Sequence, residues 1–230
     1  MTSFAPFKNP LCVALDVDTL EQAISLAEKL SSVAGGFKVG PRLIHRYGPQ
    51  IVEQLKVFAP VFVDCKFFDI PSTMVAAVQA SFDAGASVVT VHALCGREAL
   101  FQLAQLEKDL QKIRPFRILA VTILTSWNES SFPSNFQKLP VHQHVRQLAE
   151  LVQSSGLNSI VCSPEEISLV KDLGLFLLTP GIRLPQDSAD DQKRIMGPQQ
   201  ALQAGASVLV VGRPIIAAKD PLAAARMFFP

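Results

Sequence analysis

The chain has 230 residues, 49% hydrophobic and 18% charged, with a formal net charge of +1. That composition fits one sizeable globular domain over residues 1–230, and a near-neutral balance without a Lys/Arg block argues against a nucleic-acid or acidic-membrane surface. No apolar run approaches the roughly 20 residues of a membrane span, Met1–Pro10 has no secretory pattern, and Cys12, Cys65, Cys95 and Cys162 form no C-x-x-C pair, so the expectation is a cytoplasmic protein with reduced thiols.

Eight β-rich runs recur along the chain: Leu11–Asp16, Gly36–Val39, Val61–Lys66, Val88–His92, Ile118–Thr122, Ser159–Cys162, Phe176–Thr179 and Val208–Val211. Helical spacing fills the intervals. Asp18-Thr19 precedes a helix over Leu20–Leu30, Pro41 opens Arg42–Phe58, Ser72 caps a helix running to Ala84, and Pro164 opens Glu165–Leu173. Gly35, Gly85, Gly156, Gly174 and Gly205 close helices shortly before the next strand. The phrase Asp83-Ala-Gly-Ala-Ser-Val-Val89 returns almost unchanged as Gln203-Ala-Gly-Ala-Ser-Val-Leu209. Eight strands alternating with helices, undivided by a linker, predict an α/β protein with a TIM-type (β/α)₈ barrel. A doubly wound open sheet is the structural alternative.

Such barrels carry their sites at the C-terminal ends of the strands, and the polar residues follow that rule. Asp16 ends the first strand, Lys38 lies in the second, and Asp64 and Lys66 end the third. His92 ends the fourth, Thr125-Ser126 follow the fifth, Arg183 follows the seventh, and Gly212-Arg213 follow the eighth. The densest of these positions is Asp64-Cys-Lys66-Phe-Phe-Asp69-Ile-Pro-Ser-Thr73, directly after an apolar run. Residues two apart on a strand share a face, so Asp64 and Lys66 aim into one interior space, where unpaired charge is not tolerated. A structural ion pair at the barrel rim is the plainer reading of the same residues. After the last strand, Gly212 permits close backbone approach and Arg213 suits bidentate binding of phosphate, the ligand that barrels commonly hold at this end. The polar segment 180–197 reads either as a lid or as a solvated loop. His142 and His144 form an H-x-H pair without carboxylates nearby, a surface pattern rather than a metal site. Trp127, Phe132 and Phe136 read as packing or subunit-contact residues.

Together these motifs resemble the orotidine 5′-phosphate decarboxylase family over almost the whole chain. The resemblance is carried by Val13-Ala-Leu-Asp16, Phe37-Lys-Val-Gly40, Asp64-x-Lys-x-x-Asp69-Ile-Pro-x-Thr73 and Val121-Thr-Ile-Leu-Thr125-Ser. It continues through Thr179-Pro-Gly-Ile-Arg183, Asp191-Gln192-x-Arg194 and Val211-Gly-Arg-Pro214. Phe68 stands where His is common and Ser72 where Asn is common; neither departure removes a charged residue. The resemblance implies decarboxylation of orotidine 5′-monophosphate (OMP) to UMP in pyrimidine synthesis, without metal or organic cofactor, by a homodimer with shared sites. It assigns Lys66 as the acid that protonates C6, Asp64 beside the substrate carboxylate, and Lys38 between the ribose and the charged network. Asp69 and Thr73 would reach the partner subunit's site. Asp16 would hold a ribose hydroxyl, Thr125 or Ser126 the pyrimidine edge, and Gln192, Gly212 and Arg213 the phosphate. Arg183 would be a substrate contact of unassigned partner. Two rivals share the charged core: a Mg²⁺-dependent sugar-phosphate decarboxylase or synthase, and a phosphate-ligand binding barrel without catalysis. The Ile70-Pro71-Ser72-Thr73 continuation and the Arg183 loop favour the nucleotide enzyme over the first, and the unbroken charged core disfavours the second.

Overall fold

Burying continuous apolar strands requires cover on both faces, and here a barrel supplies it. The computed structural model describes residues 5–127, 129–133, 139–185 and 195–229. Strands β1 (Leu11–Ala14), β2 (Gly36–Val39), β3 (Val61–Phe67), β4 (Val88–His92), β5 (Arg117–Val121), β6 (Ser159–Val161), β7 (Phe176–Thr179) and β8 (Val208–Val211) pair in chain order. All pairings are parallel, and Cys12 opposite Val210 closes β1 onto β8, which removes the open-sheet alternative. The eight expected strands are all present. The first stops two residues short of Asp16, and the third runs one residue past Lys66.

Strand alternation sorts the side chains. Phe62, Leu119, Val121, Phe176, Leu178, Val208 and Val210 point inward and form the barrel's own core. Their neighbours Val61, Val63, Ile118, Ala120, Leu177 and Leu209 face the helices. Phe7 closes the floor against Gly36, where a Cβ would lie 2.5 Å from Phe7 Cδ1 and 2.9 Å from the Pro60 carbonyl oxygen. The Arg117 guanidinium stacks 4.1 Å from the Phe176 ring centroid and donates to Ser159 Oγ at 2.7 Å. Among the described residues this end of the barrel is therefore filled, and the cavity lies at the C-terminal end.

The repeated heptapeptide has a structural meaning. Gly85 (φ 109°) and Gly205 (φ 125°) each end a helix in a conformation that side chains resist. Ser87 N then donates to the Val61 carbonyl and Ser207 N to the Leu177 carbonyl, both at 2.8 Å, so the same phrase starts β4 and β8 in register. The helix Leu20–Leu30 starts where Asp18-Thr19 suggests, and Thr19 caps it in a reciprocal capping box with Gln22.

Three helix boundaries differ from expectation. The segment after β2 is two helices, Pro41–Tyr47 and Gln50–Leu55, because Gly48 turns to φ 61° and Pro49 restarts the chain. Ser72 does not cap: Pro71 occupies the first helical position and holds Ile70 extended (φ −63°, ψ 153°), so Ile70 is the N-cap of Pro71–Asp83. The segment after β6 is one α-helical turn, Ile167–Val170, between 3₁₀ turns Pro164–Glu166 and Lys171–Leu173.

Candidate active site

The C-terminal strand ends surround a cavity of 720 Å³. Asp16, Lys38, Asp64, Lys66, Thr125, Ser126, Arg183, Gly212 and Arg213, all singled out above, line it. Gln192 lies outside the described residues. Asp69 and Thr73 are exposed and do not line this chain's cavity. Among the described residues Asp69 forms no ion pair, and its Oδ1 accepts from the Ile70 N–H at 2.7 Å.

Four charges alternate across β1–β3. Lys38 Nζ lies 3.1 Å from Asp16 Oδ1 and 3.6 Å from Asp64 Oδ2, and Lys66 Nζ lies 2.9 Å from Asp64 Oδ1. Lys38 is only 9% exposed, so burial alone would discharge it. The carboxylates of Asp64 and Asp16 outweigh that penalty and raise the Lys38 ammonium above the ordinary lysine value. Burial likewise opposes ionisation of Asp64. Lys38, Lys66 and hydrogen bonds from Lys66 and Thr90 overcome it and hold the carboxyl below its usual range. Asp16, Lys38, Asp64 and Lys66 thus form a row of alternating acidic and basic side chains, with its end at Lys66 partly open to the cavity.

Lys66 reaches that place by an irregular path. Val63 pairs with Val89, yet Phe67 pairs with Val91, so the β3–β4 register slips between them. Lys66 sits in the slip with φ 48°. Its backbone N–H donates to Thr90 Oγ1 at 2.9 Å, and that hydroxyl donates to Asp64 Oδ1 at 2.9 Å. His92 is turned to structural work: its Nδ1 accepts from the Leu94 N–H at 3.3 Å, and its ring packs 5.7 Å from Phe68. Burial and the nearby Lys66 lower its basicity, favouring the neutral ring. Cys12 beneath the row is fully buried and its thiol is raised far above the usual value by that burial; Cys65, between Asp64 and Lys66, is pushed up to about 11 by burial and Asp64.

The opposite wall is cationic. Arg183 is 6% exposed, donates to the Ile182 carbonyl at 2.9 Å, and is steadied by pairing of Ile182 with Met196. Arg213 follows Gly212, where a Cβ would approach Ala14 Cβ to 3.4 Å and Asp16 Oδ2 to 3.9 Å. Arg42, not anticipated from the sequence, also lines the cavity and donates to the Asp16 carbonyl at 3.4 Å and to Asp18 Oδ1 at 3.2 Å. Its signal is its place in the first turn after β2, at the functional end of the barrel. Thr90 was missed too; a hydroxyl on the inward face of an apolar strand, two residues before His92, is the mark it leaves. Among the described residues no group of three or more His, Cys, Asp and Glu side chains is placed to hold a metal ion. His142 is exposed, while His144 packs 5.0 Å from Phe132, which in turn meets Trp127 at 5.9 Å.

Known proteins resemble this chain over nearly its full length. A family model described as orotidine 5′-phosphate decarboxylase / HUMPS family matches residues 9–228. A Trichlorobacter lovleyi protein named orotidine 5′-phosphate decarboxylase is 41% identical over 225 residues, covering 96% of this chain and 93% of the relative. One of the same name from Carboxydothermus hydrogenoformans is 40% identical, covering 95% and 93%. The crystal structure of orotidine 5′-phosphate decarboxylase from Lactobacillus acidophilus superposes with a TM-score of 0.81 at 31% identity, over 96% of this chain and 100% of that one. A match over nearly the full length, by sequence and by structure, leaves one conclusion: the chain belongs to the orotidine 5′-phosphate decarboxylase / HUMPS family.

Proposed function

We propose that residues 1–230 act as one barrel unit that decarboxylates OMP to UMP and CO₂ in pyrimidine biosynthesis, with no metal ion or organic cofactor. The observation that carries this reading is the row of alternating acidic and basic side chains ending at Lys66, facing arginines across one cavity. Five cationic residues and two carboxylates line that cavity. OMP brings about three negative charges, one on its carboxylate and close to two on its phosphate, and so complements the excess.

In this mechanism the C6–carboxylate bond breaks, the electron pair stays on C6, and CO₂ leaves. The ring delocalises that pair poorly. The Lys66 ammonium stabilises it and then gives C6 a proton, which solvent later replaces. Lysine suits the task because an arginine would keep its proton. Asp64 lies beside the substrate carboxylate, Lys38 and Asp16 hold the ribose hydroxyls, and Thr125 or Ser126 meets the pyrimidine edge. Gly212, Arg213 and Gln192 take the phosphate, and Arg183 is a further substrate contact. Very slow reactions of this class need about 20 kcal/mol or more of barrier lowering. One ammonium does not supply that, so binding energy from the remote phosphate is drawn on as well.

The reading includes a homodimer in the cytoplasm, with Asp69 and Thr73 entering the partner's site. Two observations support sharing: both residues stand outside their own chain's cavity, and Phe68 and Ile70, 61% and 64% exposed, flank Asp69 with apolar surface. The test is loss of the orotate chromophore when OMP meets chelator-treated protein. Turnover is expected. Inert OMP would overturn the reading, and activity restored only by Mg²⁺ would move the chain to the sugar-phosphate side of the family.

A further inference from the structure

We infer that Thr90 is a positioning residue for the Asp64–Lys66 pair, holding Lys66 in a conformation it would otherwise leave. Its kinetic consequence rests on the decarboxylation reading; its geometry does not. Among the described residues Lys66 is the one non-glycine with positive φ, a backbone region that a Cβ disfavours. Such a conformation persists only where its surroundings over-determine it.

Here the hydrogen bond that holds the Lys66 backbone goes to one hydroxyl, that of Thr90. From Val63 to Phe67 the third strand advances four residues while the fourth advances only two, from Val89 to Val91. Ladder pairing is interrupted across Asp64, Cys65 and Lys66, and the Lys66 N–H takes Thr90 Oγ1 as its acceptor instead, at 2.9 Å. Thr90 itself does not slip, because it stays in register with Leu119 of the next strand. It is fully buried and does not line the cavity, so it acts on a ligand only through its neighbours.

The same hydroxyl donates its proton to Asp64 Oδ1, which also receives Lys66 Nζ; all three distances are 2.9 Å. The ring runs from the Lys66 backbone through Thr90 to the Asp64 carboxylate and back through the Lys66 ammonium. A hydroxyl can accept once and donate once in this way. Valine has the shape of threonine but neither capacity. Without the hydroxyl, the Lys66 N–H loses its acceptor, the slipped backbone loses its tie to the fourth strand, and Asp64 loses a donor that fixes its plane.

The experiment compares Thr90→Val and Thr90→Ser with the unsubstituted protein, using thermal unfolding to verify the fold. For Thr90→Val, kcat for OMP is expected to fall about 10- to 100-fold with KM changed less than about threefold, whereas Thr90→Ser stays within about threefold of the parent. Crystal structures supply the second readout. In Thr90→Val, Lys66 φ should turn negative and Nζ should leave hydrogen-bonding distance of Asp64. An unchanged Lys66 in that structure overturns the proposal, as does a Thr90→Ser protein as impaired as Thr90→Val, since retaining the hydroxyl would then not preserve the function. If Thr90→Val does not fold, Thr90→Cys, of similar size with a weak donor, takes its place in the comparison. If the parent itself fails to turn over OMP, the functional reading falls, and the two crystal structures still decide the positioning role.

Discussion

Glu107 offers a test of the fold's electrostatics far from the cavity. It lies on the helix Gly96–Gln111, is 4% exposed, and its Oε1 accepts the Ile118 N–H at 2.6 Å near the start of β5. Burial dominates; the hydrogen bond, Arg117 and Lys108 offset it only in part, and the carboxyl rises from 4.5 to about 7. The folded protein then holds more protons than the unfolded chain between these values. Its stability is fully present below 4.5 and falls as pH rises through 7. The loss should be about 2 kcal/mol by pH 6 and about 3 kcal/mol at pH 8. Glu107→Gln keeps an acceptor for Ile118 without a titrating charge. Urea denaturation of both proteins between about pH 4.5 and pH 8 should give curves that coincide in acid and separate by about 3 kcal/mol at the alkaline end, the variant being more stable. A difference that stays constant over this range would refute the reasoning, because Glu107 would then titrate alike folded and unfolded.

Other expectations concern the cavity, the interface and the floor. Arg213→Ala should reduce kcat/KM for OMP by about 2–4 kcal/mol while costing the phosphate-free nucleoside less than about 1 kcal/mol; equal losses in steady-state assays would place Arg213 away from the phosphate. Lys66→Ala and Asp69→Ala proteins, each inactive alone, should regain about a quarter of the full site activity when refolded together, since about half the dimers are mixed and each holds one intact site. No recovery despite heterodimers seen by native mass spectrometry would return Asp69 to its own subunit. Gly36→Ala should destabilise the protein by about 1–3 kcal/mol in denaturant titrations, because the new methyl meets Phe7 and the Pro60 carbonyl. An unchanged midpoint would mean that the floor yields without cost.

Strand number and order were legible because short β-rich runs recur between segments of helical spacing, with Gly85, Gly156, Gly174 and Gly205 marking several of the turns into the next strand, and these signals are local. The charged row was legible for a partly incomplete reason. Alternation correctly brings Asp64 and Lys66 together, yet Lys66 leaves the alternation at φ 48° in a register slip. A slip is a relation between two strands and has no mark within one. Thr90 stayed hidden for the same reason: its importance comes from Lys66 and Asp64, not from the residues beside it. The break at Gly48-Pro49 was written in the chain but masked by apolar spacing that continues from Leu43 to Ile51 and Leu55, all buried. Asp69 and Thr73 could not be joined to the cavity of a single chain, and what the motif alone suggests about them concerns a second copy.

Two cysteines lie close to the charged row, Cys65 between Asp64 and Lys66 in the chain and Cys12 below it. Reactivity toward oxidants and alkylating agents belongs to the thiolate. With Cys65 and Cys95 pushed up to about 11 and Cys12 raised further still, only about one thiol in ten thousand at Cys65 or Cys95 is ionised at neutral pH. Burial thus passivates these thiols, and at Cys65 and Cys12 the carboxylates of the row reinforce it. Peroxide or a maleimide probe should leave these positions untouched over times that consume ordinary exposed thiols, and a reporter dye aimed at the barrel mouth would need a newly introduced cysteine on the rim.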